Sequence, residues 1–172
     1  FEGWVARKHV IFYHPKPLST LNDKISSMHF RSLLEAGIMN YMKEIYGLKR
    51  LNINDKLSII VEDLENGKIV ASIHPDKRLK SASTIKVPIL HAYMIQRSEG
   101  KLIENSNHKE LIEKMIRFSS NSSTNVVIEL LGGPEKIQQI LEQTKIYKQI
   151  RLIEHIPENG RAYRNTISVA DL

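Results

Sequence analysis

The segment from residue 57 to residue 73 most limits what this chain can fold into. Leu57–Leu64 and Ile69–Ile73 are apolar and rich in β-branched residues, and Glu65-Asn66-Gly67-Lys68 separates them. Asn-Gly tolerates the positive φ angles that the tight turns of β-hairpins require. The segment therefore predicts an antiparallel hairpin, and the residues before it predict a helix on which the hairpin packs.

Helical patterns lie on both sides of the hairpin. Before it, apolar residues recur with helical period from Leu34 to Ile45, and Gly47 ends the segment. After it, similar patterns predict helices from Ser83 to Gly100, from Asn107 to Ile116, from Asn125 to Leu131 and from Pro134 to Leu141. Ser168 and Asp171 together predict the start of one more helix. The predicted fold class is α/β, more closely α+β, with a helical subdomain around residues 100–150.

Composition excludes several classes of function. The 172 residues include no cysteine, which excludes disulfide scaffolds, thiol catalysis and Cys-ligated zinc. The seven histidines are scattered without metal-ligand spacing, so neither a metal site nor a cofactor is expected. The net charge is +6, but acidic residues interleave the basic ones, which indicates a solvated basic surface and no nucleic-acid partner.

The first twenty residues differ from the rest. Gly3–Tyr13 predicts a short strand, and His14-Pro15-Lys16-Pro17 predicts a stiff, extended linker. The Gly-Trp-Val start resembles the last strand of a bacterial Src-homology-3-like wall-binding module; the alternative is an N-terminal arm. Residues 1–20 are therefore separated from a domain over residues 21–172. Because the chain begins with Phe, we expect it to be trimmed from a longer protein.

Ser83-Thr84-Ile85-Lys86 is the first motif with chemical potential. A spacing of three residues places two helical side chains on one face. A serine hydroxyl becomes a good nucleophile when a base removes its proton, and a lysine with a lowered pKa can be that base. The helix start adds backbone N–H groups that can stabilise an oxyanion. The simpler interpretation is a capping serine followed by a solvated lysine.

A second motif, Ser119-Ser120-Asn121, lies in a polar break between two predicted helices. The chain contains, in this order, a hairpin, an Ala-Ser-x-x-Lys helix, a Ser-x-Asn loop, a helix and Gly132-Gly133. This order resembles the class A β-lactamase and penicillin-recognising serine enzyme family, in which Ser-x-x-Lys and Ser-Asp-Asn are known motifs. Residues 163–168 are similar to the segment that follows the omega loop of that family. The resemblance covers about residues 30–172.

The resemblance implies a role for each matching residue. Ser83 would be acylated, Lys86 would be its base, and Ser119 would pass a proton to the departing nitrogen. Asn121 would bind the amide side chain of the substrate, and the Ser83 N–H would be one oxyanion donor. From the residues alone, Ser119 and Asn121 are also ordinary turn formers and caps.

The sequence departs from the family pattern in three places. Ser120 replaces the usual Asp of Ser-Asp-Asn. No Glu-x-x-x-Asn pair for a deacylating water is present, and Glu154 and Glu158 are the only weak candidates in that region. No Lys-Thr-Gly strand is present, so the C-terminal strands of the sheet are expected to lie beyond residue 172. Acylation is therefore better supported than rapid hydrolysis.

These observations lead to one functional expectation with two alternatives. We expect a serine hydrolase of the class A β-lactamase type that forms an acyl-enzyme on a β-lactam or a related cell-wall amide. The alternatives are a penicillin-binding peptidase or transpeptidase and a non-catalytic wall-associated module. The expected location is secreted or in the cell envelope. The open sheet edge is expected to be completed by another chain or by strand exchange between copies.

Overall fold

A computed structural model describes residues 32–47, 57–157 and 164–172. The predicted N-terminal strand and linker, and the candidate Glu158, lie outside the described residues. Within the described ranges, no helix is both long enough and apolar enough to span a bilayer.

The predicted hairpin is confirmed, and a helix packs on it. Strand β1 (Ile59–Asp63) pairs antiparallel with β2 (Lys68–Ile73), and Gly67 in the turn has a φ of 67°. Helix α1 (Leu33–Gly47) precedes the hairpin and covers the outer edge of β2. The Ser32 hydroxyl donates to the Val70 carbonyl at 2.7 Å, and a Glu35 carboxylate oxygen accepts from the Ser72 N–H at 2.7 Å. Polar side chains of the helix thus satisfy backbone groups of an edge strand.

Four further helices form the larger part of the fold. They are α2 (Lys86–Ser98), α3 (Ser106–Arg117), α4 (Asn121–Leu130) and α5 (Pro134–Gln143). Helices α2 and α4 each contact the other three helices of this group. The buried face of α5 carries Ile137, Ile140 and Leu141, as its period predicts.

One apolar core joins these helices to the segment after α5. Its fully buried members include residues of α2 to α5 and of the chain after residue 150, so that segment packs on the helices although it lacks regular secondary structure. They include Ile89, Tyr93, Met115, Ile128, Leu152 and Ile156.

The structure adds a pair of strands that the sequence analysis did not predict. Strand β3 (Leu79–Lys80) pairs antiparallel with β4 (Thr166–Ile167), and Arg151 forms an isolated bridge with Thr166. Two-residue strands show no measurable period in a sequence, and their pairing depends on contacts between distant segments. They connect the chain before α2 to the last described segment.

Several predicted helix boundaries are wrong. Helix α3 is capped by the Asn105 side chain, which accepts from the His108 N–H, and not by Asn107. Helix α4 begins at Asn121, four residues before the predicted Asn125, because the Ser120 side chain caps it by accepting from the Ser123 N–H. Polar residues at these helix starts conceal the helical period.

The predicted helix cap at Ser168 is also wrong. Only a short 3₁₀ turn, Val169–Asp171, follows Ser168, and the Ser168 side chain makes no capping hydrogen bond. Asp171 instead accepts from the backbone N–H groups of Lys148 and Gln149, at 2.9 and 2.6 Å. The carboxylate therefore anchors a loop that is distant in sequence.

Within α1, Leu34 does not lie on the buried face, contrary to the prediction. It is 45% exposed, whereas Glu35 and Ala36 are buried against the hairpin. The buried carboxylate is acceptable there because it accepts a backbone hydrogen bond from β2.

Candidate active site

Ser83 and Lys86 lie on a tight helical entry. A 3₁₀ turn, Ala82–Ile85, leads directly into α2, whose first residue is Lys86. Side chains three residues apart nearly eclipse one another in a 3₁₀ turn. The Lys86 ammonium nitrogen Nζ accordingly lies 3.2 Å from Ser83 Oγ. The two residues therefore share one face, as their spacing predicts.

Ser119 reaches this pair from the loop between α3 and α4. Its backbone is in the left-handed region, with a φ of 53°, which costs free energy in any residue other than glycine. The Ser119 hydroxyl lies 3.0 Å from Ser83 Oγ and 2.9 Å from Lys86 Nζ. Its carbonyl oxygen also accepts from Lys86 Nζ, at 2.7 Å. The strained backbone thus presents both oxygens of one residue to the same lysine.

Asn121, in the first turn of α4, is the fourth member of this cluster. Its side-chain oxygen Oδ1 accepts from Lys86 Nζ at 2.8 Å, and its Nδ2 group donates to the Pro157 carbonyl at 3.4 Å. The amide therefore links the lysine to the segment after α5. Its expected contact with a substrate amide stays a prediction.

Burial distinguishes the lysine from the two hydroxyl groups. Lys86 is only 3% exposed, whereas Ser83 and Ser119 both lie at the surface. Removal from water lowers the pKa of the Lys86 ammonium below its usual value, because burial disfavours the charged form. In its neutral form, the amine of Lys86 can accept a proton from either of the two accessible hydroxyls in contact with it.

Glu154 lies apart from this cluster. Its carboxylate accepts from the Arg164 backbone N–H and from Arg164 Nε, at 2.5 and 2.6 Å. These bonds lower the pKa of the Glu154 carboxyl and keep it ionised. No hydrogen bond or ion pair among the described residues joins Glu154 to Ser83, Lys86 or Ser119. The structure thus gathers three of the predicted catalytic residues and Asn121, but not Glu154.

Two asparagines that the sequence analysis did not select hold the segment beside the cluster. The Asn125 side chain exchanges two hydrogen bonds with the backbone of Ile156, both at 2.8 Å. The fully buried Asn165 accepts from the Ile153 and Glu154 N–H groups and donates to the Glu154 carbonyl. No local pattern marks such residues, because their partners are 11 to 31 positions away.

The described residues contain no group of three His, Asp or Glu side chains that could hold a metal ion.

Comparison with known proteins identifies the family of this chain. The model of the β-lactamase enzyme family matches residues 39–107 and 103–172, which together cover well over half of the sequence. The chain therefore belongs to the β-lactamase enzyme family. A β-lactamase from Bacillus licheniformis is 25% identical, over 59% of this chain and 40% of that protein.

Solved structures show the same fold. The chain resembles an ancestral class A β-lactamase with a TM-score of 0.59 and 23% identity, over 75% of this chain and 59% of that structure. A single-substitution mutant of the class A β-lactamase of the last common ancestor of Gram-negative bacteria matches equally, with a TM-score of 0.59 and 23% identity, over 75% of this chain and 58% of that one. The predicted β-lactamase-like α+β fold is thereby confirmed. The chain spans less than two thirds of the length of each of these relatives.

Proposed function

We propose that this chain carries the acylating part of a serine hydrolase of the class A β-lactamase type. The proposal rests on one observation: Ser83 Oγ, Lys86 Nζ and Ser119 Oγ lie within 3.2 Å of one another. A nucleophile, a base and a proton carrier in mutual contact are what acyl transfer from an amide requires. Family membership supports the same chemistry.

The proposed reaction begins at Ser83. Neutral Lys86 takes the Ser83 proton while Oγ attacks the carbonyl carbon of a β-lactam or a cell-wall amide. The resulting oxyanion is stabilised by backbone N–H groups, with the Ser83 N–H at the start of the 3₁₀ turn as one donor. Ser119 then donates its proton to the departing nitrogen and regains one from Lys86, as the carbon–nitrogen bond breaks. The product is an ester at Ser83.

The fate of that ester separates two candidate functions. A β-lactamase hydrolyses it rapidly, whereas a penicillin-binding peptidase or transpeptidase holds it for longer. The Glu154 carboxylate is bound by Arg164, and no hydrogen bond among the described residues joins it to Ser83, so Glu154 gives no support to the first candidate. A non-catalytic wall-associated module on the same fold is the third alternative.

The substrate class suggests where the protein works. β-Lactams and cell-wall peptides are encountered outside the cytoplasmic membrane. We therefore propose a secreted or envelope location, which fractionation of cells that produce the protein would test.

Covalent labelling tests the proposed function. We expect a fluorescent penicillin to form an adduct that intact-mass spectrometry maps to Ser83, and Ser83→Ala to abolish it. Ser98→Ala is the matched control, since Ser98 lies on the same helix α2 and is exposed. Accumulation of the adduct indicates a penicillin-binding enzyme, and turnover without accumulation indicates a β-lactamase. Absence of both adduct and turnover would contradict acylation and favour the non-catalytic module.

A further inference from the structure

A basic cleft lies apart from the serine–lysine cluster. Helix α5, residues 147–153 that follow it, and Arg78 form the cleft. The cleft has a volume of about 220 Å³ and shares no lining residue with that cluster. Three cationic side chains line it, and a single carboxylate faces them. The cations are Arg78, Lys148 and Arg151, and the carboxylate is Glu142.

The three cations lack carboxylate partners. None of them forms an ion pair within residues 32–47, 57–157 and 164–172, although seven ion pairs occur elsewhere in these ranges. The Glu142 carboxylate accepts instead from the Gln138 side-chain amide, at 2.8 Å. The lining side chains therefore carry a net charge of +2, and the Asp171 carboxylate, which is not a lining residue, accepts from the backbone N–H groups of Lys148 and Gln149.

The backbone that carries these cations is held firmly. Asp171 is buried and accepts from the N–H groups of Lys148 and Gln149. Arg151 exchanges two backbone hydrogen bonds with Thr166, at 2.8 and 2.9 Å. The Gln149 side chain in turn accepts from Arg78 Nε at 3.0 Å, which orients that guanidinium. A fixed frame reduces the entropy lost when a ligand binds.

We propose that this cleft binds a phosphate group. Two net positive charges match a phosphate monoester dianion better than a single carboxylate, and guanidinium groups bind phosphate oxygens through two parallel hydrogen bonds. Within the described ranges, Arg78 donates a side-chain hydrogen bond through Nε alone, which leaves its other guanidinium N–H groups for this purpose. The phosphate can come from a free phosphate monoester or from a lipid whose headgroup is a phosphate monoester, as in phosphatidic acid, since both present three terminal oxygens and a dianionic charge.

Titration with inorganic phosphate at constant ionic strength tests the proposal. We expect saturable NMR shifts of the Lys148, Gln149 and Arg151 amides. Arg78→Glu combined with Arg151→Glu should weaken the apparent affinity at least about tenfold. Two exposed side chains are changed, so the fold should persist, and circular dichroism checks this. The matched control is Lys136→Glu, an exposed charge reversal on α5 outside the cleft, which should leave the affinity unchanged.

Three results would overturn the proposal. They are phosphate-induced shifts that do not saturate, shifts that acetate reproduces at the same ionic strength, and shifts that persist in the double variant. Once phosphate binding is established, sedimentation of the wild type and the double variant with phosphatidic acid vesicles, compared with phosphatidylcholine vesicles, identifies the source. Co-sedimentation with phosphatidic acid that the double variant loses supports a lipid headgroup, and its absence in the wild type supports a free phosphate monoester.

Discussion

Lys86 shows how the protein can obtain a base from a residue that is normally protonated. Its Nζ has four oxygen neighbours, contributed by Ser83, Ser119 and Asn121, and an ammonium group has three protons to share among them. The neighbours are neutral dipoles and not carboxylates, so they do not offset the loss of water as a carboxylate would. Burial therefore lowers the pKa of Lys86, and its neutral neighbours do not reverse that effect.

This arrangement predicts a pH dependence of acylation. The proposed base is the neutral amine, so the labelling rate at Ser83 should rise with pH through a pKa that lies below the usual 10.5 of lysine. Lys86→Arg should lower the rate by orders of magnitude, because a guanidinium stays protonated throughout this range. Stopped-flow labelling between pH 5 and pH 10 measures both effects.

The shape of the profile decides the role of the lysine. If Lys86→Arg retained the wild-type rise with pH, the titrating base would be another group. A lower rate with an unchanged profile would assign Lys86 a merely structural contribution.

Among the helices and strands, the position of the site depends on how the segment after α5 is attached to α4. Residues 151–157 contain no helix and only one bridge residue, yet Leu152 and Ile156 are fully buried. Asn125 on α4 satisfies both the N–H and the carbonyl of Ile156, which lets that backbone be buried without a strand partner. Because Asn121 contacts Pro157 from the same helix, α4 joins the segment to the lysine.

Asn125→Ala should therefore destabilise the protein. The change leaves the Ile156 N–H and carbonyl without their partner, at a cost of roughly 1–3 kcal/mol in the free energy of unfolding. Urea denaturation measures this loss, and hydrogen exchange should show faster exchange of the Ile156 amide than of amides in α2. Gln143→Ala, an exposed change on α5, is the matched control and should have little effect. Equal stabilities for the two variants would refute the anchoring role of Asn125.

In the assembly of the fold, one edge of the hairpin is covered by α1, and the other has no strand partner among the residues that the structure describes. Helix α1 satisfies the outer edge of β2 at Val70 and Ser72, as described above. Among the described residues, no strand pairs with the outer edge of β1. Ile60 is opposite Ser72, whose N–H points away from β1, so the Ile60 N–H and carbonyl also point outward. We propose that another chain or a second copy completes this edge.

Pairing at this edge predicts self-association of the isolated 172-residue chain. Light scattering should show dimers or larger species that dissociate on dilution. Ile60→Pro should reduce the association, since proline lacks the N–H that the added strand would use, and an edge position tolerates it. Ile60→Ala removes the side chain but keeps the N–H, and should retain more of the association. A stable monomer at all concentrations, or a stronger effect of Ala than of Pro, would contradict pairing through the backbone.

The features that could be predicted from the amino-acid sequence are those that depend on residues close together in the chain. The Asn-Gly turn, the helical periods and the three-residue spacing of Ser83 and Lys86 are local, so they could be interpreted without coordinates. Three other features became visible in the folded chain alone. They are the contact of Ser119 with Lys86 across 33 positions, the hydrogen bonds of Asn125 and Asn165 to distant backbone, and the short strand pair β3–β4. These contacts depend on burial and hydrogen bonding between segments that are distant in the chain. A sequence pattern does not show which distant groups will be in contact, because the packing of the core fixes those contacts.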